Sequence, residues 1–557
     1  MGRFTIATKI ELITIGFVFV LKKDRKLSLL LLIWIFLLNS CAPEKPVDHG
    51  IKNNLLHIGN GVEPEDLDPH IITGMSEFNI VSALFEGLLR VNEKTLEPTA
   101  GVAHTWKVSE DGLKYTFYLR KKARWSNGDS LTAEDFVFSI QRILSAELGS
   151  SYAFMLYPLK NAKAFNQGKV PFSKVGVICI DDHTLEMHLQ QPTPYFLSLL
   201  NHPAWYPVHQ ENLLRFGSVI QRGTGWTHKN HVGNGAFQLK EWRVSDAVIC
   251  QKNPFYWGSQ SVVLQELHFH AIVNNNTEIR AFYTGQIHAT STVPPNQIPP
   301  LLKSKAPELR IAPDLGVYYF VLNTEIPGLD RKLVRQALNL ATNRLLIADK
   351  IRQRGEEPAL HFTPPNTGGY YAPDCLQYNP SIARKKLKKA GYPNGKGFPT
   401  LTILYNTSEN HKAIAEAIQQ MWKSELNINV ELKNQEWKIY LDSRKRRDFD
   451  ICRAGWIGDY NDPTTFLNLW LEKSTMNQSA WKNPHYDSLI EKASDPYYSK
   501  DRFTIFAEAE KILMDEAPLL PIFFYKRASL QDPRIENWEP NILNIRNYRN
   551  FSFKSKK

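Results

Sequence analysis

Short apolar strands and amphipathic helices alternate from about residue 55 to the C-terminus with no repeat of fixed period, which restricts the chain to a mixed α/β architecture. SEFNIVSALFEGLL (76–89) carries Ile80, Val81, Leu84, Leu88 and Leu89 at helical spacing. KYTFYLRKKARWSNGDSLTAEDFVFSIQRIL (114–144) predicts a strand, a turn at Asn127-Gly128, and a helix capped by Thr132 with Asp135 three residues on. DDHTLEMHLQQPTPYFLSLL (181–200) reads as strand, proline-bounded turn and helix. LVRQALNLATNRLLIADKI (333–351) and HKAIAEAIQQMWKSEL (411–426) predict two amphipathic helices, the second leading into the strand NINVELKN (427–434). The proline-rich stretch STVPPNQIPPLLKSKAP (291–307) is the best internal boundary. At 557 residues the chain has room for two or three domains with their own cores.

The N-terminus points to export. KKDRK (22–26) precedes LSLLLLIWIFLLNSC (27–41), an apolar run too short for a bilayer span, which needs about 20 residues. Residues 1–40 are therefore expected to be a signal peptide. Leu38-Asn39-Ser40-Cys41 resembles a bacterial lipobox, which makes Cys41 the lipidated first residue of the mature chain; the alternative is ordinary cleavage nearby with Cys41 left free. IELITIGFVFVL (10–21), upstream of the basic region, suggests a true translation start later than Met1. APEKPVDHGIKNN (42–54) reads as a polar tether, and no later segment is apolar enough to span a membrane.

The net charge of +11 invites a nucleic-acid reading, but residues 1–40 carry six cations against two anions and their removal leaves +7, a mild excess suited to anionic lipid surroundings. Beyond Cys41 there are four cysteines, Cys179, Cys250, Cys375 and Cys452, without a CxxC pair or zinc spacing. One or two disulfides and isolated thiols are equally compatible with them.

A search for chemistry returns mostly negatives. There is no GxSxG, HExxH, Rossmann fingerprint or Walker loop; GYPNGKG (391–397) is one residue short of the last and follows a helix. HFH (268–270) places two imidazoles on one strand face, but the linear sequence offers no third ligand, so a solvated strand is the expectation and no metal is called for. No pair of carboxylates stands out as acid and base. A chain this long without such signals favours binding over catalysis, and no cofactor is implied.

RAGWIGDYNDP (453–463) is the segment that fits neither a plain loop nor a core strand: it combines Arg453, Trp456, Asp459 and Tyr460 with two glycines. With it, ALFEGLL (83–89), ARWSNGDSLTAEDFVFSIQR (123–142), VICIDDHTLE (177–186), NGAFQLKEW (234–242), LYNTSENHKAIAEA (404–417) and NQEWKIYLDSR (434–444) form an ordered series over nearly the whole chain. The series resembles the oligopeptide-binding proteins of bacterial peptide ABC transporters, a branch of the periplasmic solute-binding proteins.

That resemblance implies a class II periplasmic-binding-protein fold of two α/β lobes closing on an extended peptide, with an extra domain. The expected division is domain I at 50–85, 209–315 and 527–557, domain II at 86–208 and domain III at 316–526, after a tether at 41–49. It also implies a lipid-anchored, monomeric envelope protein that delivers short peptides to a membrane permease and binds no nucleic acid. By position, Asp459 matches the residue that binds the peptide amino group. Arg453, His411 and Arg352 match positions that receive the carboxylate of peptides of different length, and Arg444 matches another cleft arginine. Trp456, Trp437, Tyr152, Gly455 and Tyr319 match residues that line the cleft. An added peptide strand would supply affinity blind to side chains, and aromatic walls would accept varied ones.

Bland readings stand beside these: core packing for Trp437 and Trp456, a solvated charge run for Arg444 within SRKRRD (443–448), and turn chemistry for Asp459. The sequence also departs from the family. A cysteine pair falls on Gly316 and Ile457, and two acidic cleft positions fall on Thr73 and Val321, which should leave the cleft more positive. Murein tripeptides, which bring extra carboxylates, are therefore an alternative ligand. An envelope chaperone or adhesin, and an exported hydrolase, are readings of other classes.

Overall fold

The computed structural model describes residues 44–221, 225–474, 476–495 and 498–554, apart from the side chains of Trp437 and Lys438. The expected signal peptide and Cys41 lie outside the described residues.

Among the described residues, three sheets of four or more strands carry the fold, each drawing on distant stretches of sequence. The first runs Leu55–Gly59, Glu266–His270, Ala247–Lys252 and Phe237–Arg243, parallel in its first pair and antiparallel thereafter. The second is antiparallel, in the order Ala103–Val108, Lys114–Leu119, Thr184–His188 and Val177–Asp181. Strand alternation explains why they share one core: Leu267 and Phe269 of the first, and Phe117 and Leu185 of the second, all turn into it. The third sheet is six-stranded, in the order Glu357–Pro358, Leu519–Leu530, Leu309–Leu322, Ile451–Ile457, Leu401–Asn406 and Val430–Gln435. It buries both faces, Val317, Tyr319, Cys452 and Ala454 on one and Tyr318, Phe320 and Ile451 on the other. The result is two lobes, one built on the two smaller sheets and one on the six-stranded sheet.

The chain crosses between lobes in the paired strands Leu309–Leu322 and Leu519–Leu530, whose register shifts between Pro313 and Val317. The boundaries expected near 315 and 527 fall inside these continuous strands. Asp314 and Arg527 form an ion pair there, and the Leu315 N–H donates to the Ile542 carbonyl at 2.9 Å.

Local predictions fare unevenly. Thr132 and Asp135 form the expected capping box of the helix Ala133–Leu144, the Thr132 N–H donating to the Asp135 carboxylate at 2.8 Å. The helix over 76–89 instead spans Met75–Leu84, and Leu89 already belongs to a strand. The single helix expected over 333–351 is interrupted. It runs Lys332–Leu340, breaks at 341–343, and resumes under a cap in which the Asn343 side chain accepts from the Leu346 N–H at 3.0 Å. Trp422 wedges the break open, its Nε1 donating to the Leu338 carbonyl and to Thr342 Oγ1. The tether expectation is also corrected at Pro46–Asn53, which forms a helix: Val47 is buried and its N–H donates to the Gly285 carbonyl at 3.0 Å. All four described cysteines are free thiols.

Candidate functional site

The two lobes enclose a cavity of about 570 Å³. One wall is the loop that leaves the strand Ile451–Ile457, and the facing wall comes from the other lobe, including Tyr152, His202 and Tyr206. Gly458 makes the turn close: a Cβ there would lie 2.7 Å from Leu315 Cδ2 and 2.9 Å from Thr465 Cγ2. The Gly458 N–H donates to the Leu315 carbonyl at 2.7 Å and the Asp459 N–H to Thr465 Oγ1 at 3.1 Å, which fixes the aspartate in the cavity.

The two aspartates of GDYND part company. Asp462 is buried and takes a forked pair of hydrogen bonds from Arg502 at 2.7 and 2.8 Å. Asp459 forms no ion pair among the described residues, and burial pushes its carboxyl up to about 6. Its charge in turn raises Tyr152 across the cleft, after the larger effect of that tyrosine's own burial. Tyr460 stacks on Tyr195 of the opposite lobe with ring centroids 4.4 Å apart.

Arg453, two residues before Gly455 on the same strand face, lies 4.7 Å over the Tyr318 ring and donates to Tyr525 Oη at 3.1 Å, while its buried Nε has no partner among the described residues. His411, near the start of the helix Glu409–Leu426, sits 3.1 Å from Tyr318 Oη. Burial, Arg453 and Arg352 push its imidazole down to about 4, so it is neutral at physiological pH. Arg352 belongs to the same cluster but is balanced by buried Glu356 at 2.7 Å. Arg453, His411 and Arg352 are thus brought together, but of the expected site residues only Asp459 and Tyr152 line the cavity; within the cluster Arg453 is charged without a carboxylate partner among the described residues. Gly455 leaves room for the Tyr525 hydroxyl in this cluster, since a Cβ would stand 2.6 Å from Tyr525 Oη.

Alternation sends Trp456 and Tyr319 to the opposite face of the sheet. Trp456 is half-buried there and its Nε1 has no hydrogen-bond partner among the described residues. Arg444 is turned inward, donating to Gln478 at 2.9 Å, while Lys445, Arg446 and Arg447 are exposed; the charge-run reading fails for this one arginine. Tyr319 is a correction. It is only 5% exposed and packs edge-on against Phe362 and Trp470, so it supports the wall instead of forming it. The side chain of Trp437, which opens the helix Trp437–Arg446, lies outside the described residues.

The strand Ile451–Ile457 pairs along one edge with 316–322 over its whole length. On its other edge it pairs with the strand Leu401–Asn406 only at Ile451 and Cys452. From Arg453 onward that edge has no strand partner among the described residues, and it can accept an added one.

Sequence reasoning missed several groups that complete the site. Thr73 does line the cavity, but Val321 is core, and the cavity is not stripped of acids: Glu86 and Asp314 line it, paired with Arg90 and Arg527. Glu86 also accepts from Tyr256 Oη and Trp257 Nε1, both at 2.6 Å. Arg546 and Arg549, from the C-terminal segment, add positive charge to the wall. Only ALFEGLL hinted at any of these. At the family's cysteine positions, Gly316 and Ile457 face each other in register. A Cβ on Gly316 would be 2.4 Å from Ile457 Cδ1, so the isoleucine fills the space a cross-link would occupy. HFH was read as a solvated strand lacking a third ligand; the third imidazole is His57, buried beside His268 and His270.

Comparison with known proteins agrees with this architecture. Residues 97–478 match the middle region of the bacterial extracellular solute-binding proteins, family 5. The chain is 37% identical over 484 residues to the periplasmic oligopeptide-binding protein OppA of Escherichia coli, covering 85% of this chain and 88% of that one. It is 38% identical over 489 residues to the periplasmic murein peptide-binding protein MppA of the same organism, covering 86% and 89%. The unliganded open form of MppA superposes with a TM-score of 0.80 at 36% identity, covering 90% of this chain and 98% of that one. The chain belongs to the bacterial extracellular solute-binding proteins, family 5.

Proposed function

We propose that this protein is the extracytoplasmic component of an ABC importer that binds short peptides in extended form between its lobes and delivers them to a membrane permease. The observation that carries the reading is Asp459, a desolvated carboxylate in the cavity without a cation of its own. A carboxylate in that setting is stabilised by an incoming ammonium, which is what every unblocked peptide brings. The edge of 454–457, without a strand partner among the described residues, offers backbone hydrogen bonds to the ligand, and Arg453 receives its carboxylate; neutral His411 and the Glu356-paired Arg352 add hydrogen bonds to longer chains. Successive side chains of an added strand point to opposite faces. One set therefore meets Arg453 and Tyr525, the other Trp456 and Arg444. Domain I (50–85, 209–315, 527–557) and domain II (86–208) act as one body against domain III (316–526), hinged at the two crossing strands.

The leader and Cys41 support a protein anchored to the envelope by lipid, and the scarcity of catalytic signals supports a role without chemistry. Arg444, half-buried and without an ion pair among the described residues, favours a second reading in which the ligand is a cell-wall peptide whose extra carboxylate it binds. Mass spectrometry of the small molecules released by denaturing the purified protein separates the two. A heterogeneous ladder of short peptides is expected for general uptake, and one dominant species containing diaminopimelate for the cell-wall reading. A protein that releases no peptide and binds none when peptides are added would refute both.

A further inference from the structure

We infer that His57, His268 and His270 form a binding site for a divalent transition-metal ion on the back of the first sheet, separate from the cleft. One ring nitrogen from each of these three imidazoles lies within 4.8 Å of the other two. The arrangement follows from strand geometry. His57 and His268 are direct neighbours in the parallel pair Leu55–Gly59 and Glu266–His270, and His270 is two residues further along the same face. Leu56, Ile58, Leu267 and Phe269 alternate with them and turn into the core, so the imidazoles cannot rotate to the other side.

The spacing suits a metal. His57 Nδ1 and His270 Nε2 share a hydrogen bond of 3.1 Å, which an entering ion would replace by binding both nitrogens. Two nitrogens about 2.0–2.1 Å from a tetrahedral ion are separated by roughly 3.3 Å. His268 completes the triad with its ring centroid 4.4 Å from that of His57. Its Nε2 lies 2.8 Å from Glu266 Oε2, and donating that proton leaves Nδ1 as the nitrogen with a free lone pair. Glu266 is itself held by Lys240 at 2.5 Å, so the carboxylate that orients the ring is fixed. A carboxylate bonded to a ligating imidazole is the usual outer partner of a metal-bound histidine.

His288 sharpens the assignment by contrast. It stacks on His57 at 5.7 Å, but its Nδ1 accepts from the His57 backbone N–H at 3.0 Å and its Nε2 contacts the Val47 carbonyl at 3.1 Å. Both its nitrogens are engaged, so it buttresses the site and does not ligate. Three imidazoles with a fourth position left to water suit Zn²⁺, and also Cu²⁺, Ni²⁺ or Co²⁺. The ion would join the N-terminal strand to the centre of the sheet.

The test is a titration of the untagged protein with Co²⁺ and Zn²⁺, read by d–d absorption for the first and calorimetry for the second. One equivalent is expected, with the strong visible bands of four-coordinate Co²⁺, and Zn²⁺ should raise the melting temperature. The double variant His268→Gln/His270→Gln changes only half-buried side chains; it should lose the bands and the thermal shift while peptide affinity is unchanged. Glu266→Gln, a change to a positioning residue, should weaken binding about 10–100-fold and shift the bands. Stoichiometric binding that persists in the double variant overturns the site, as does a wild-type protein that shows no four-coordinate Co²⁺ spectrum.

Discussion

The seam between the two small sheets and the cleft between the lobes both carry charge, yet they treat it oppositely. In the seam, Arg142 and Asp68 are buried in a forked pair at 2.9 and 2.5 Å, and Arg142 Nε donates to the Val219 carbonyl. Each charge there is satisfied within the protein, and the seam behaves as one core. In the cleft, Asp459 has no ion pair among the described residues, and in the cluster on the neighbouring sheet Arg453 keeps a buried Nε without a partner among them. Internally paired charge makes a joint; a desolvated charge left unpaired in a cavity makes a binding site, because a ligand can complete it.

Breaking the seam should have the largest effect. Arg142→Met leaves Asp68 buried and unpaired and should cost about 3–5 kcal/mol of stability, measured by urea unfolding. Removing the cleft charge should act on binding instead: Asp459→Ala is expected to weaken free-amino peptides by roughly 2–5 kcal/mol by calorimetry. The ligand-free protein should not be destabilised by that change.

The pH dependence follows the same contrast. Burial lifts Asp459 above the unfolded carboxylate value to about 6, so the folded state holds a proton that the unfolded state has released. The contribution of this group to ligand-free stability is therefore full at low pH and is lost as pH rises through about 6. Peptide affinity runs the other way, falling as pH drops through the same range, because only the ionised form pairs with an ammonium. Asp459→Asn should remove both slopes.

A third change sharpens the role of the crossing strands. Gly316→Cys with Ile457→Cys places two cysteines on directly paired residues, and the disulfide should add about 2–4 kcal/mol, seen as a shift of the unfolding transition under oxidising conditions. The smallest effect is expected for Arg444→Gln. It should change affinity for peptides without acidic side chains by under about 1 kcal/mol, and weaken ligands with an additional carboxylate by more.

Much of this contrast was legible before any fold was known, but unevenly. Asp459 and Arg453 stood out because one short motif fixes their spacing, and Thr132 with Asp135 predicted a cap that depends on three residues alone. What depends on distant partners was not legible. Glu356 cancels Arg352, and Asp462 is neutralised by Arg502 forty positions away. Tyr319 differs from a wall residue only by which way a strand turns it, and Arg444 from its exposed neighbours only by one hydrogen bond to Gln478. The helix over 333–351 has unbroken periodicity, yet Trp422 and the Asn343 cap divide it. His57 is about 210 residues from the HFH it joins, and only the parallel pairing of their strands reveals it.

The most direct test compares a tripeptide and its N-acetylated form on the wild-type protein and on Asp459→Asn, by calorimetry at neutral pH. Acetylation should cost the wild type most of its affinity and the variant almost none, since both changes remove the same ammonium–carboxylate pair. Equal losses on acetylation in the two proteins would contradict the account, because the peptide amino group would then be bound elsewhere.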